Sequence, residues 1–151
     1  MEKKKIYVAS SWRNDFQPAV VELLRSHGHT VYDFKNPPNQ SGFAWSEIDP
    51  NWQQWTPKQF ANVFDHPRVV SGFQSDYAHL FNCDMCLLVL PCGRSAHLEA
   101  GYAAGMNKAT YAFIPEGITI EPELMYGMFN QIFTNTIELN KFFTVKPVNA
   151  L

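Results

Sequence analysis

Short apolar runs alternate with segments of helical periodicity along most of the chain. Five runs are rich in apolar, β-branched or aromatic residues, which predicts strands. These runs are residues 5–10, 29–34, 83–90, 109–114 and 131–134. Apolar residues between the runs recur at helical spacing, and the helices predicted there cover residues 18–28, 95–107 and 136–143.

Alternating strands and helices predict a parallel sheet with helices on both faces. The run 83–90 is almost wholly apolar, as expected for a central strand that is buried on both sides. We therefore predict an α/β fold, a single doubly wound parallel-sheet domain of flavodoxin-like or Rossmann-like type over residues 1–151. Ligands bind beyond the carboxyl ends of the strands in such sheets, so residues 10–14 and 91–99 are predicted to face the ligand.

Residues 35–67 interrupt the alternation with several prolines, little periodicity and three tryptophans, Trp45, Trp52 and Trp55. Loops this long in a compact domain are usually functional or disordered, and tryptophans argue against disorder. Two interpretations stay open. The tryptophans fill the core or a subunit contact, or they form a lid whose aromatic faces stack on a planar ligand.

Composition and charge limit the classes of partner that the protein can be expected to bind. Hydrophobic residues make up 46% of the chain and charged residues 17%, which is typical of a globular protein rather than a disordered one. The net charge of −2 gives no reason to expect a nucleic acid polymer as partner, and no apolar run has the length that a bilayer requires. The odd count of 3 cysteines predicts reduced thiols and a cytoplasmic setting.

The densest chemistry follows the central strand, in residues 90–105. A tight turn at Gly93 precedes a helix, and Ser95 is predicted to be its N-cap. Glu99 then falls in or just after the first turn, where free backbone N–H groups favour an anion, and Arg94 can grip an oxyanion. Each residue alone has an ordinary structural explanation, but together at a strand-to-helix junction they favour a site.

Two further patterns carry less weight. Gly101 and Gly105 are spaced for close helix packing, against the sheet or a partner subunit. Cys83 and Cys86 form a C-x-x-C that spans a strand rather than a helix start, which does not favour a zinc or redox role. No cluster has convincing metal-ligand spacing, so we expect neither a metal nor a cofactor.

Four blocks, in this order and spacing, resemble the nucleoside 2-deoxyribosyltransferase superfamily, which includes the deoxynucleoside 5′-monophosphate N-glycosidases. Residues 6–13 (IYVASSWR) are similar to the family's first strand and substrate loop. Residues 76–84 (DYAHLFNCD) are similar to its aspartate that opens a helix leading to a second aspartate. Residues 93–108 resemble its glutamate helix, with EAGYA at its centre, and residues 123–127 (ELMYG) resemble its C-terminal block.

The resemblance implies an enzyme that cleaves or exchanges the N-glycosidic bond of a small-molecule nucleoside or nucleotide. Glu99 would attack the anomeric carbon, Tyr7 would orient Glu99, and Asp76 would position the base and help to protonate it. Cleavage through an oxocarbenium-like transition state needs a carboxylate against the sugar and a proton source for the leaving group. A covalent glycosyl-enzyme could then be resolved by water or by a second base.

The resemblance also implies a set of substrate-binding positions and an oligomer. These positions are Ser10, Ser11, Trp12, Arg13, Gly93, Arg94, Ser95, Trp45, Trp52, Trp55, Glu123 and Met125. In the family the C-terminal block reaches the sugar 5′ end in a neighbouring subunit. Together with the small-residue helix at 101–105, this predicts a homo-oligomer, a dimer or larger.

Two departures from the family leave the substrate open. Residues 92–95 (CGRS) stand where the transferases tend to carry another aspartate, and Glu123 stands where they tend to carry an asparagine. Arg94, Ser95 and the loop containing Ser10, Ser11 and Arg13 would suit a 5′-phosphate. Glu123 would repel a phosphate but could accept a hydrogen bond from a free 5′-hydroxyl.

Two alternatives from other classes remain. The chain could be a catalytically silent nucleotide-binding or sensor domain that has kept the pocket, or a flavodoxin-like binding protein, since fold alone does not fix function. A silent domain should have lost at least one of Glu99, Asp76 and Tyr7. Because all three are present, the enzyme is favoured.

Overall fold

The computed structural model describes residues 1–147 as an α/β structure built on one five-stranded sheet. The strands are Lys5–Ala9 (β1), Thr30–Asp33 (β2), Met85–Val89 (β3), Ala109–Phe113 (β4) and Gln131–Phe133 (β5). The α-helices are Gln17–Ser26 (α1), Pro57–Ala61 (α2), Pro67–Asn82 (α3), Arg94–Gly105 (α4) and Thr136–Phe143 (α5). Residues 148–151 of the predicted domain lie outside the described residues.

All neighbouring strands are parallel, in the order β2-β1-β3-β4-β5. Every residue of β3 is buried, which confirms the predicted central strand. The strand order reverses between β1 and β3, because the chain first moves outward to β2 and then returns to the other side of β1. This switch point opens a crevice at the carboxyl ends of β1 and β3.

Helices cover both faces of the sheet, so the predicted doubly wound α/β fold is confirmed. On one face Leu24 of α1 and Leu139 and Phe143 of α5 pack with Val8 and Leu87 of the sheet. The other face holds α3 and α4 against a second buried cluster that includes Tyr7, Cys86 and Leu88. Truncation of a fully buried side chain such as Leu24 to alanine should cost about 2–5 kcal/mol of unfolding free energy.

Helix α4 packs through alanines rather than through glycines. Ala96, Ala100 and Ala103 are its buried residues and face the sheet. A Cβ atom added to Gly101 or Gly105 would meet nothing within 4 Å. The expectation that these glycines pack closely on the sheet is therefore wrong, because the alanine stripe already provides that contact. Their packing on a partner subunit stays a prediction.

The N-cap of α4 also differs from the prediction. Gly93, not Ser95, is the N-cap, and it caps without a side-chain hydrogen bond. The Gly93 N–H is bonded instead to the Ser11 hydroxyl oxygen at 2.8 Å, across from the end of β1. This bond between two distant parts of the chain holds the turn at Gly93. The helix therefore begins at Arg94, and Ser95 lies inside its first turn.

Residues 35–67 are mostly irregular, as predicted, but contain short helical turns. One-turn 3-10 helices cover Trp45–Glu47, Trp52–Gln54 and Asn62–Asp65. The long helix α3 then begins at Pro67, earlier than the resemblance implies. Asp76 consequently lies inside α3 and does not open a helix. No helix among residues 1–147 is long and apolar enough to cross a membrane.

Candidate active site

A cavity of about 680 Å³ lies at the carboxyl ends of β1 and β3, beneath part of the insertion. Ser10, Ser11 and Trp12 line it from the loop after β1, and Gly93, Arg94, Ser95 and Glu99 from the start of α4. Asp76 and Arg68 reach it from α3, and Phe43, Trp45 and Trp52 from the insertion. The cavity is thus where residues 10–14 and 91–99 were predicted to face a ligand.

Glu99 lies half-buried in the second turn of α4, with its carboxyl group in this cavity. Burial, and then the negative charge of Asp76, raise the pKa of Glu99 to about 8, and Tyr7 opposes the shift. The expectation that helix N–H groups hold Glu99 ionised is therefore wrong. The first turn of α4 contains no acidic residue, and Glu99 lies too far along the helix to reach those N–H groups.

Asp76 is the second carboxyl group in the cavity. Its Oδ1 accepts a hydrogen bond of 2.7 Å from the hydroxyl of Tyr32 in β2. Burial raises the pKa of Asp76, while the Tyr32 hydrogen bond and the positive charges of His79 and Arg68 oppose the rise. Two partly desolvated carboxyls that sense each other titrate as a pair, and the pair retains a proton to higher pH than an exposed pair would.

Tyr7 is fully buried in β1, and its ring stacks on Tyr32 with centroids 5.2 Å apart. Its hydroxyl is buried without a hydrogen-bond partner among residues 1–147. Burial, and then the Glu99 charge, raise the pKa of Tyr7 well above its usual value. The hydroxyl thus stays protonated, and it lies close enough to Glu99 to lower the pKa of that carboxyl by hydrogen bonding.

The loop after β1 is anchored to the end of β3. Ser10 donates its hydroxyl hydrogen to the Val89 carbonyl at 2.8 Å, and the Asn14 amide bonds the Val89 and Pro91 carbonyls. The Ser10 hydroxyl is therefore used within the fold, whereas the Ser11 hydroxyl donates to no group among residues 1–147. Trp12 lines the cavity with 52% of its surface exposed. Arg13 is exposed and does not line this cavity.

The insertion contributes two of its three tryptophans to the cavity. Trp45 and Trp52 line it, whereas Trp55 packs edge-on against Trp45 and donates its indole hydrogen to Asp49. A second, aromatic cavity of about 290 Å³ adjoins the first; Asp76 and Glu99 line both cavities, and Tyr7 lines only the second. Its wall includes Leu98, 75% exposed, and Phe73, 62% exposed.

The homo-oligomer that the sequence analysis expects stays a prediction, which light scattering can test.

The C-terminal block, residues 123–127, lies outside the cavity that holds Glu99. Glu123 and Met125 line a separate cavity of about 810 Å³ on the other side of the start of α4. The Glu123 carboxylate accepts the Met125 N–H at 2.8 Å and so caps the turn Leu124–Met128. Within one chain these two residues do not line the cavity that holds Glu99.

Two solved structures match the chain along almost its whole length. A 2-deoxyribosyltransferase from Bacillus psychrosaccharolyticus is 20% identical, with a TM-score of 0.61 over 95% of this chain and 98% of that one. A conserved protein from Enterococcus faecalis V583 is 12% identical, with a TM-score of 0.56 over 93% and 97%. A Clostridium botulinum CMP N-glycosidase is a weaker match, 14% identical with a TM-score of 0.48 over 91% and 94%.

The chain has the 2-deoxyribosyltransferase fold. The resemblance drawn from the four sequence blocks is therefore confirmed at the level of the fold. By sequence, neither a family model nor a curated protein matches the chain. Among residues 1–147, no group of three or more His, Cys, Asp or Glu side chains could hold a metal ion.

Several residues in and around this cavity were not found by the sequence analysis. Tyr32 bonds Asp76, and Arg68 bonds both Glu47 carboxylate oxygens, at 3.1 and 3.2 Å. Arg68 also donates to the Ser41 and Gly42 carbonyls, so it fastens the insertion over the cavity. The sequence carried no signal for these contacts, because they join a strand, a helix and an irregular segment that are far apart in the chain.

Proposed function

We propose that the chain cleaves or exchanges the N-glycosidic bond of a nucleoside or nucleotide, with Glu99 as the nucleophile and Asp76 as the proton source. The observation that carries the proposal is the pair of carboxyl groups of Glu99 and Asp76. Both carboxyl groups line one cavity at the switch point of the sheet, and burial raises the pKa of each. Pairs of carboxyls with shifted pKa values are typical of glycosidic acid–base chemistry. The fold of a 2-deoxyribosyltransferase supports the same assignment.

In the first step a Glu99 carboxylate oxygen attacks the anomeric carbon, and the bond from that carbon to the base nitrogen breaks. The bonding electrons leave with the base, and Asp76 donates its proton to a base atom. The product is a glycosyl ester on Glu99 and a free neutral base. The Tyr7 hydroxyl, which lines the adjoining aromatic cavity beside Glu99, would donate a hydrogen bond to the Glu99 carboxyl group and orient it.

In the second step water or another base attacks the same carbon, and the ester bond to Glu99 breaks. The acceptor loses a proton, which Asp76 takes up, so the pair returns to its starting state. Attack by water makes the enzyme a hydrolase, and attack by a base makes it a transferase. Both outcomes use the same residues.

The reactive form needs Glu99 ionised and Asp76 protonated, which is one proton shared by the pair. Because the pKa of Glu99 is raised to about 8, the free chain keeps this proton mainly on Glu99 at neutral pH. The reactive arrangement has the same net charge and differs only in which carboxyl holds the proton. The rate should therefore be level just below pH 8 and fall as the pH rises through about 8, because the pair then loses the proton that Asp76 must donate.

Aromatic side chains around the cavity suit a planar base. Trp12, Trp45 and Trp52 all line it, and Trp12 packs edge-on against Phe34. We expect at least one tryptophan to contact the base, so a substrate analogue should quench tryptophan fluorescence. Replacing each of Trp45, Trp52 and Trp55 by phenylalanine identifies the one responsible. Unchanged quenching in all three variants would exclude a lid that stacks on the base.

The decisive experiment incubates the protein with nucleosides and 5′-monophosphates, with and without an acceptor base, and follows free base by chromatography. Base released without an acceptor identifies a hydrolase, and exchange only with an acceptor identifies a transferase. Preference for monophosphates would assign Arg94 and Ser95 to a phosphate. Binding without release of base from any substrate would favour the silent binding domain.

A further inference from the structure

Tyr32 contacts both Asp76 and Tyr7, the residue beside Glu99. Its hydroxyl donates to Asp76 Oδ1 at 2.7 Å and lies 3.0 Å from the Ser75 hydroxyl oxygen. Since the Tyr32 hydrogen is used on Asp76, the Ser75 hydroxyl is the donor in the second bond. The Tyr32 ring stacks on His79, with centroids 4.0 Å apart, and on Tyr7, which lies near Glu99.

We propose that Tyr32 is a positioning residue of this site, because its hydroxyl holds the Asp76 carboxyl by Oδ1 and leaves Oδ2 for the substrate. The inference rests on the proposed function for the role of Asp76. Oδ2 has no hydrogen-bond partner among residues 1–147, whereas Oδ1 is fixed by a short bond. A carboxyl fixed through one oxygen presents the other in a single direction, which is what proton transfer to a leaving group requires.

The Tyr32 side chain itself is held on three sides. Tyr32 is 6% exposed, its backbone pairs with β1 with Tyr7 as its partner, and its ring is confined by Tyr7 and His79. A buried, stacked phenol loses little conformational freedom when it makes a hydrogen bond. It is therefore a stiffer support for Asp76 than a solvent-exposed side chain on α3 would be.

The hydrogen bond should also set how readily Asp76 binds a proton. The titratable or charged groups around Asp76 and Tyr32 are Glu99, Tyr7, His79 and Arg68. Burial raises the pKa of Asp76, and the Tyr32 hydroxyl opposes this by bonding the ionised form. Removal of the Tyr32 hydroxyl should therefore raise the pKa of Asp76 further, since the four other groups remain in place.

The test is Tyr32→Phe, which removes the hydroxyl and keeps the stacked ring. We expect kcat to fall about tenfold to a hundredfold with KM changed less than about threefold, because Asp76 loses its orientation but the cavity keeps its walls. The titration midpoint of the Asp76 carboxyl should rise. It is measured by carbon-13 NMR on protein labelled at aspartate carboxyls, with Asp76→Asn used to assign the signal.

Tyr111→Phe is the matched control. Tyr111 is also a buried strand tyrosine, but it packs in the cluster on the opposite face of the sheet. It should leave both kcat and the Asp76 midpoint unchanged. If Tyr32→Phe does not fold, Ser75→Ala replaces it, since loss of the Ser75 donor weakens the same chain of bonds and should move the midpoint in the same direction.

The outcomes separate the two proposals. An unmoved Asp76 midpoint, or equal losses of kcat in the Tyr32 and Tyr111 variants, would overturn the role of Tyr32. A raised midpoint together with a fall in kcat confined to the Tyr32 variant would support it. If the wild-type protein releases no base from any substrate, the proposed function fails, whereas the midpoint still decides whether Tyr32 holds Asp76.

Discussion

Two cavities flank the start of α4, and they share Gly93 and Arg94 in their walls. In the cavity that holds Glu99, the polar groups are incompletely paired. The Tyr7 hydroxyl has no partner among residues 1–147, and burial raises the pKa of Asp76 and of Glu99. These buried polar groups lower the stability of the fold, but they can interact with a ligand that enters the cavity.

The other cavity is larger, about 810 Å³, and its His97, Tyr126 and Glu123 side chains make hydrogen bonds. His97 Nδ1 lies 2.7 Å from the Gly93 carbonyl and must carry the hydrogen, so Nε2 accepts from the Tyr126 hydroxyl at 2.7 Å. Burial raises the pKa of the Cys92 thiol to about 12, which leaves no thiolate at neutral pH. The comparison indicates that a pair of carboxyls with raised pKa values, rather than size, distinguishes the candidate active site.

The largest expected effect is on turnover in Glu99→Gln. The amide lacks the charge and the nucleophilic oxygen, so the rate should fall by roughly three orders of magnitude or more. The fold and ligand binding should persist, because glutamine has nearly the same shape. Rates are measured by release of base, and a sugar trapped on the wild-type protein is located by mass spectrometry of peptides.

The control for this variant is Glu22→Gln, an exposed glutamate of α1 that pairs with Arg25 at 3.5 Å. It should retain wild-type turnover. A Glu99→Gln protein that keeps most of its activity would remove the difference between the two cavities. A trapped sugar found on Asp76 would instead exchange the roles of the two carboxyls.

The sequence anticipated the fold better than it anticipated the contacts within the site. Helix α5 was predicted with its observed bounds, and each strand within two residues at either end. These elements are set by local periodicity and by burial of a nearly continuous apolar strand such as β3. The rule that ligands bind beyond the carboxyl ends of parallel strands then pointed to residues 91–99, which include Glu99.

The predictions that were wrong depended on contacts between distant segments. Ser95 has the chemistry of an N-cap, but the turn is held by a hydrogen bond from Gly93 to Ser11, which no local pattern reveals. Glu99 was expected to be held ionised by α4, whereas burial and the negative charge of Asp76 raise its pKa. The hydrogen bond from Tyr32 to Asp76 joins β2 to α3, and no local sequence pattern predicted it either.

A second prediction concerns Arg68, which fastens the insertion over the cavity. Arg68→Gln should break its paired bonds to Glu47 and loosen the segment that carries Trp45. We expect KM to rise about tenfold with kcat changed less than about threefold, because the bond-breaking groups stay in place. Arg25→Gln, at an exposed pair on α1, should change neither constant. A fall in kcat without a change in KM would place Arg68 in the chemistry instead.

A third prediction uses the pH dependence of stability. The pKa of Glu99 is raised from 4.5 to about 8, so the folded chain binds this proton more tightly than the unfolded chain does. The unfolding free energy should therefore fall as the pH rises from about 5 to about 8, by an amount on the order of a few kcal/mol. The raised pKa of Asp76 acts in the same direction.

Glu99→Gln should flatten this dependence, because the amide does not titrate. Denaturant unfolding at pH 5, 6.5 and 8 then shows the variant more stable than the wild type at pH 8 and similar to it at pH 5. Glu22→Gln should follow the wild-type curve. If Glu99→Gln is instead less stable than the wild type at pH 8, Glu99 is ionised and paired in the folded protein, and the contrast between the cavities disappears.

The smallest effect is expected on the paired side of α4. His97→Gln removes a ring that stacks on Tyr126 and joins it to the turn before α4. The loss should cost about 1–2 kcal/mol of unfolding free energy, because Tyr126 and Gly93 each lose a partner. Turnover should stay within about threefold of wild type, since His97 does not line the Glu99 cavity of its own chain. A hundredfold loss of turnover with an unchanged melting temperature would mean that this second cavity takes part in catalysis, and the carboxyl pair would then no longer separate the two regions.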